Sequence, residues 1–104
     1  MISSYNVNIG TGVFTLFDAN PGGPDAEHGP CSEFVVYVSA QNTKVCVYDA
    51  SNTPLVVDFV QRSGVQYPPY RWVPNKIAKV TAQTATGVAA TVSWGVTGKD
   101  VVVF

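Results

Sequence analysis

The stretch Glu33-Phe34-Val35-Val36-Tyr37-Val38-Ser39-Ala40-Gln41-Asn42-Thr43-Lys44-Val45-Cys46-Val47-Tyr48-Asp49-Ala50 decides the fold. Its first half puts Phe34, Val36 and Val38 on one side of an extended chain, and its second half alternates Val45 and Val47 with Cys46 and Tyr48. A period of two marks a half-buried strand, because successive side chains leave opposite faces of the pleat. Two strands are therefore expected, Glu33–Ala40 and Lys44–Ala50. They read as a hairpin joined by Gln41-Asn42-Thr43, each giving one face to the core.

The same reading extends in both directions. Upstream, Tyr5–Ile9 and Val13–Phe17 are strand-like runs parted by Gly10-Thr11-Gly12, where glycine permits the positive φ of a tight turn. Downstream, Ser51-Asn52-Thr53-Pro54 is a turn by composition, Leu55–Val60 an apolar strand carrying a single Asp58, and Arg62-Ser63-Gly64 another turn. Ile77–Gln83, Val88–Val96 and Val101–Phe104 complete the set, with breaks at Thr84-Ala85-Thr86-Gly87 and Thr97-Gly98-Lys99-Asp100. In the run 88–96, Ala90, Val92, Trp94 and Val96 share a face, which predicts Trp94 in the core. Helical periodicity is lacking throughout. The expectation is an all-β, antiparallel β-sandwich, jelly-roll-like or immunoglobulin-like, of about seven or eight short strands.

At 104 residues the chain fits one domain, 1–104, and shows neither an internal repeat nor a linker. Charged residues make up 12% of it, against about 25% in ordinary soluble domains. Its surface polarity must come from Ser, Thr, Asn, Gln and Gly, which can be covered at low desolvation cost. The net charge is -1 and the six basic residues are scattered, so no footprint for nucleic acid exists. No apolar run approaches transmembrane length, and the start lacks a basic segment followed by an apolar one. The expectation is a protein made in a cytoplasm, with no membrane contact and with Cys31 and Cys46 reduced, one of them facing the core.

Catalytic chemistry finds little to work with. His28 is the single histidine. It lies in the loop Asp18–Pro30, which holds three prolines and three glycines, and the loop is expected to leave it solvated and loosely held. Activation of the Cys31 thiol by His28 would need a firmer support than such a loop. The carboxylates Asp18, Asp25, Glu27, Glu33, Asp49, Asp58 and Asp100 form no spaced acid–base or cation-binding motif. One histidine without a Cys-x-x-Cys leaves no zinc set, and no glycine-rich turn precedes a helix. The chain is thus read as a non-enzyme without catalytic, metal or cofactor-binding residues.

Two segments stand out as contact surfaces. One is the loop, represented by Asn20, Pro21 and His28. The other is Tyr67-Pro68-Pro69-Tyr70-Arg71-Trp72, where proline bars a central strand and stiffens a backbone bearing three large rings. Tyrosine and tryptophan on a stiff backbone give contact area at low entropic cost. They would serve a protein interface or a sugar-stacking platform, unless Trp72 and one tyrosine merely cap the core.

The run Ile77-Ala78-Lys79-Val80-Thr81-Ala82-Gln83-Thr84-Ala85-Thr86-Gly87-Val88-Ala89-Ala90-Thr91-Val92-Ser93-Trp94-Gly95-Val96-Thr97-Gly98 resembles small structural proteins of tailed bacteriophages. The likeness is one of style, in short Thr/Ala/Val/Gly-rich hairpins with few charges, and it covers about the last third of the chain without an invariant motif or a transferable functional residue. The resemblance implies a virion protein, above all a capsid decoration (cement) protein that binds the major capsid protein and copies of itself. Another small head–tail or tail component, or a carbohydrate-binding module, is the alternative.

Overall fold

The computed structural model describes residues 3–9, 12–38, 42–62, 64–65, 67–84 and 90–96, with 3–9 and 90–96 described as backbone alone. Among these residues the strands are β1 (Ser3–Ile9), β2 (Phe14–Asp18), β3 (Glu33–Val38), β4 (Thr43–Tyr48), β5 (Pro54–Gln61), β6 (Tyr70–Arg71), β7 (Lys79–Thr84) and β8 (Ala90–Val96). They form two four-stranded antiparallel sheets, ordered β1-β8-β3-β6 and β2-β7-β4-β5.

The pairing is nested. β1 pairs with β8, β2 with β7, β3 with β6 and β4 with β5. The chain thus forms one long antiparallel ribbon with the β4–β5 turn at its tip. Rolling that ribbon brings β3 beside β8 and β4 beside β7, which completes the sheets. This is jelly-roll topology, and it separates the two sandwich types that the sequence left open.

The expected hairpin between 33–40 and 44–50 does not form. β3 and β4 lie in opposite sheets, as do β1 and β2. Alternation explains why the sequence misleads here: it fixes which face of a strand is buried but not which strand lies alongside. The faces themselves are as expected, with Phe34, Val36 and Val38 buried on β3, and Val45 and Val47 buried on β4 between half-buried Cys46 and Tyr48. The tight hairpin is β4–β5 instead. Its turn is tied by Asp49, whose Oδ1 accepts from the amides of Ser51 and Thr53, both at 2.9 Å.

Between the sheets Phe17, Phe34, Val45, Val47, Ile77 and Val80 are all but fully enclosed, with Phe17 and Phe34 ring centroids 5.6 Å apart. Burying each such side chain contributes about 1.5–3 kcal/mol. A bulge in β2 between Thr15 and Phe17 lets the adjacent Leu16 and Phe17 both enter this core, which strict alternation forbids. Cys31 is the core-facing cysteine, and its bridge to Ile77 ties the start of β3 to the approach to β7. Both thiols are free.

The 67–74 stretch behaves as its prolines require, contributing only the two-residue edge strand β6 beside β3. The expected strand 101–104, residues 10–11, 39–41 and 85–89 in the connections, and the Trp94 side chain lie outside the described residues. Among the described residues no helix is long and apolar enough to cross a membrane.

Candidate functional site

β5 is the edge of one sheet and β6 the edge of the other, and residues of both meet on the same side of the sandwich, together with Tyr67, Pro68 and Pro69. A groove of about 280 Å³ opens there, lined by Val56 and Phe59 of β5 and by Tyr67 through Trp72. The segment singled out from sequence therefore forms one wall. Val56 and Phe59, absent from that expectation, form the other.

Bulges bring Phe59 into place. Val45 pairs with Phe59 and Val47 with Val56, so Val57 and Asp58 together face Cys46. Asp58 takes φ 49° at this point. Its amide donates to Cys46 Sγ at 3.3 Å, and the thiol donates to its carboxylate at 3.5 Å. With the alternation broken, Phe59 stays 41% exposed at the mouth of the groove.

The rings are held in position. Phe59 meets Tyr67 edge-on at 5.5 Å and Tyr70 edge-on at 6.2 Å, both favoured T-shaped arrangements. Gln61 Nε2 donates to the Tyr70 phenol oxygen at 2.7 Å, and the Arg62 amide donates to that of Tyr67 at 3.3 Å. Burial pushes the Tyr70 phenol up to about 12, with the neighbouring Tyr67 adding to the rise against the lowering effect of the Gln61 hydrogen bond. At neutral pH Tyr70 is a neutral wall of the groove.

Tyr70 and Trp72 also pack on the core, so they cap it and line the groove at once. The Trp72 amide donates to Ser32 O at 2.8 Å. Pro68, Pro69 and Arg71 are exposed, and the Arg71 guanidinium reaches Glu33 at 3.8 Å, a solvent-screened pair of little energetic weight.

The other expected segment, with Asn20, Pro21 and His28, does not join this groove. It springs from β2, the edge of its sheet opposite β5. Nor is it loose: Asp25 Oδ2 accepts from the Asp18 amide at 2.9 Å, Asp18 O accepts from the Asp25 amide at 2.9 Å, and turns at Gly23 and His28 close the interior. His28 is half-buried, not freely solvated. Its Nδ1–H donates to Gly29 O at 2.8 Å and its ring stands edge-on to Phe17 at 5.7 Å. Sequence reasoning missed this because the pairing of Asp18 with Asp25 leaves no mark of its own. Pro21 stays exposed on the outer side of the loop.

His28 does not activate Cys31. That thiol is sealed in the core, where burial pushes it up to about 12, so at neutral pH it is no thiolate. Among the described residues no group of three His, Cys, Asp or Glu side chains could hold a metal ion.

No family model, curated protein or solved structure matches the chain.

Proposed function

We propose that this protein is a non-enzymatic structural component of a virion, a decoration protein that binds the major capsid protein or a neighbouring virion protein and stabilises the shell. The observation that carries the reading is the β5–β6 groove: four aromatic rings and two prolines, fixed in place before any partner arrives, on a surface with few charges to desolvate. Rigid aromatic anchors in an apolar recess are what dominate binding at protein interfaces. Contacts repeated across a shell add up through multivalency, so each can be modest. Jelly rolls recur in viral capsids, which supports the reading by analogy alone. On this reading the chain is made in the host cytoplasm, ends up in the particle, and needs neither cofactor nor nucleic acid.

A sugar-stacking platform is less well supported. It requires exposed rings, whereas Tyr67, Tyr70 and Trp72 are each half-buried and the last two lean on the core.

Particles assembled without the protein and then incubated with it provide the test. Wild-type protein is expected to co-sediment at a stoichiometry fixed by shell symmetry and to raise the temperature at which shells rupture. Tyr67→Ser, at a residue outside the core cluster, is expected to lower occupancy with the fold retained. Absence of the wild-type protein from particles, or undiminished occupancy by the folded variant, overturns the reading.

A further inference from the structure

The groove and the loop on the opposite sheet edge are complementary in chemistry. Aromatic-lined grooves take up proline, whose preset backbone loses little entropy on binding. The loop offers Pro21 and Pro24, both exposed, on a turn already braced by the two Asp18–Asp25 hydrogen bonds. Charge points the same way. The exposed Arg71, 3.8 Å from Glu33, is part of the groove lining, and Arg62, also exposed, bonds the Tyr67 phenol through its amide. The loop 18–30 has no lysine or arginine; its Asp18 and Asp25 carboxylates accept backbone amides within the loop, and Glu27 is exposed. A volume of about 280 Å³, open at the rim, suits the side chains of a turn. It is slightly below the usual range for small-molecule pockets, about 300–1,000 Å³.

We propose that the occupant of the β5–β6 groove is the Pro21–Glu27 loop of a second copy of this chain. The proposal rests on the reading of the groove as a protein-contact site and makes the neighbouring virion protein seated in it a second copy, so that groove variants lower particle occupancy by breaking up copies that bind the shell together. A copy cannot fill its own groove with this loop, because the brace holds the loop to β2 at the far edge of the sheet that ends in β5. The contact is therefore head-to-tail. Repeated around an axis it closes a ring, in which every groove and every loop is used.

Sedimentation velocity of the purified chain, without particles, provides the test. Wild type is expected to form a concentration-dependent closed oligomer. Arg71→Glu and Glu27→Lys, both surface changes, are each expected to weaken association roughly tenfold or more by setting like charges against each other. The double variant, with the charges exchanged, is expected to recover most of the loss, which a folding defect would not do. A wild-type chain that stays monomeric up to its solubility limit, association indifferent to both reversals, or no recovery in the double variant overturns the proposal. Monomers that still load fully onto particles sink this inference alone, whereas oligomers that ignore particles sink the shell reading alone.

Discussion

Gln61 Nε2 donates to the phenol oxygen of Tyr70 at 2.7 Å, and this hydrogen bond joins the last residue of β5 in one sheet to the first residue of β6 in the other. Gln61 is buried, 1% exposed, so its amide has no ready access to water as a substitute partner. The sandwich edge that carries the groove is thus closed by a polar tie between otherwise separate sheets.

Removing half of the tie is expected to cost more than removing all of it. Tyr70→Phe strands the Gln61 amide and should lower unfolding stability by about 1–3 kcal/mol. Adding Gln61→Leu, which replaces that amide by an apolar group, should return part of the loss. Urea denaturation of the two single variants and the double variant measures this, and additive losses would contradict the tie.

Alkaline pH should loosen the fold in two overlapping steps. Burial raises the Cys31 thiol from 9.0 to about 12 and the Tyr70 phenol from 10.0 to about 12. In both cases the fold favours the protonated form, so the stabilisation is complete below the unfolded value and lost as pH climbs toward the folded one. The urea midpoint is expected to decline from about pH 9 upward and to steepen above about pH 10. Cys31→Ala should remove the earlier part and Tyr70→Phe the later, and a midpoint flat to about pH 11 would refute the assignment.

The two thiols should differ in reactivity. Cys31 is fully enclosed, whereas Cys46 is half-buried on the outward side of β4. Brief treatment of the native protein with a maleimide is expected to label Cys46 alone, and labelling in urea to mark both, as peptide mass spectrometry would show.

Gly23 has no room for a side chain. A Cβ there would sit 2.7 Å from Asp18 O and 2.8 Å from Asp18 Cγ, and the backbone oxygen cannot swing aside. Gly23→Ala is expected to open the Asp18–Asp25 brace at a cost of about 1–3 kcal/mol. NMR should then show the His28 ring signals moving toward those of a solvated imidazole as contact with Phe17 loosens. Unchanged stability and unchanged His28 shifts would count against the brace.

Much of the site was readable before any coordinates. Prolines 68, 69 and 74 announced that the aromatic segment could not form a central strand, and Tyr67, Tyr70 and Trp72 do line the recess. The opposite wall was hidden because Leu55–Val60 looked like an ordinary apolar strand. Asp58, the one charge in it, was the available clue: it sits at the bulge that leaves Phe59 exposed. Gln61 carried no signal, since its partner lies nine residues away in the other sheet.

The sequence by itself determined that the chain is made of short strands, which face of β3 and of β4 is apolar, and that 67–74 holds no central strand. These follow from the alternation of side chains along a strand and from the missing amide of proline, both properties of the local chain. Only the tertiary structure decided that β3 and β4 face each other across the core instead of pairing, that β4 turns back on β5, and that two sheet edges meet to enclose a groove. Those choices depend on contacts between distant segments, and a period of two is satisfied equally well by a neighbour in the same sheet or in the opposite one.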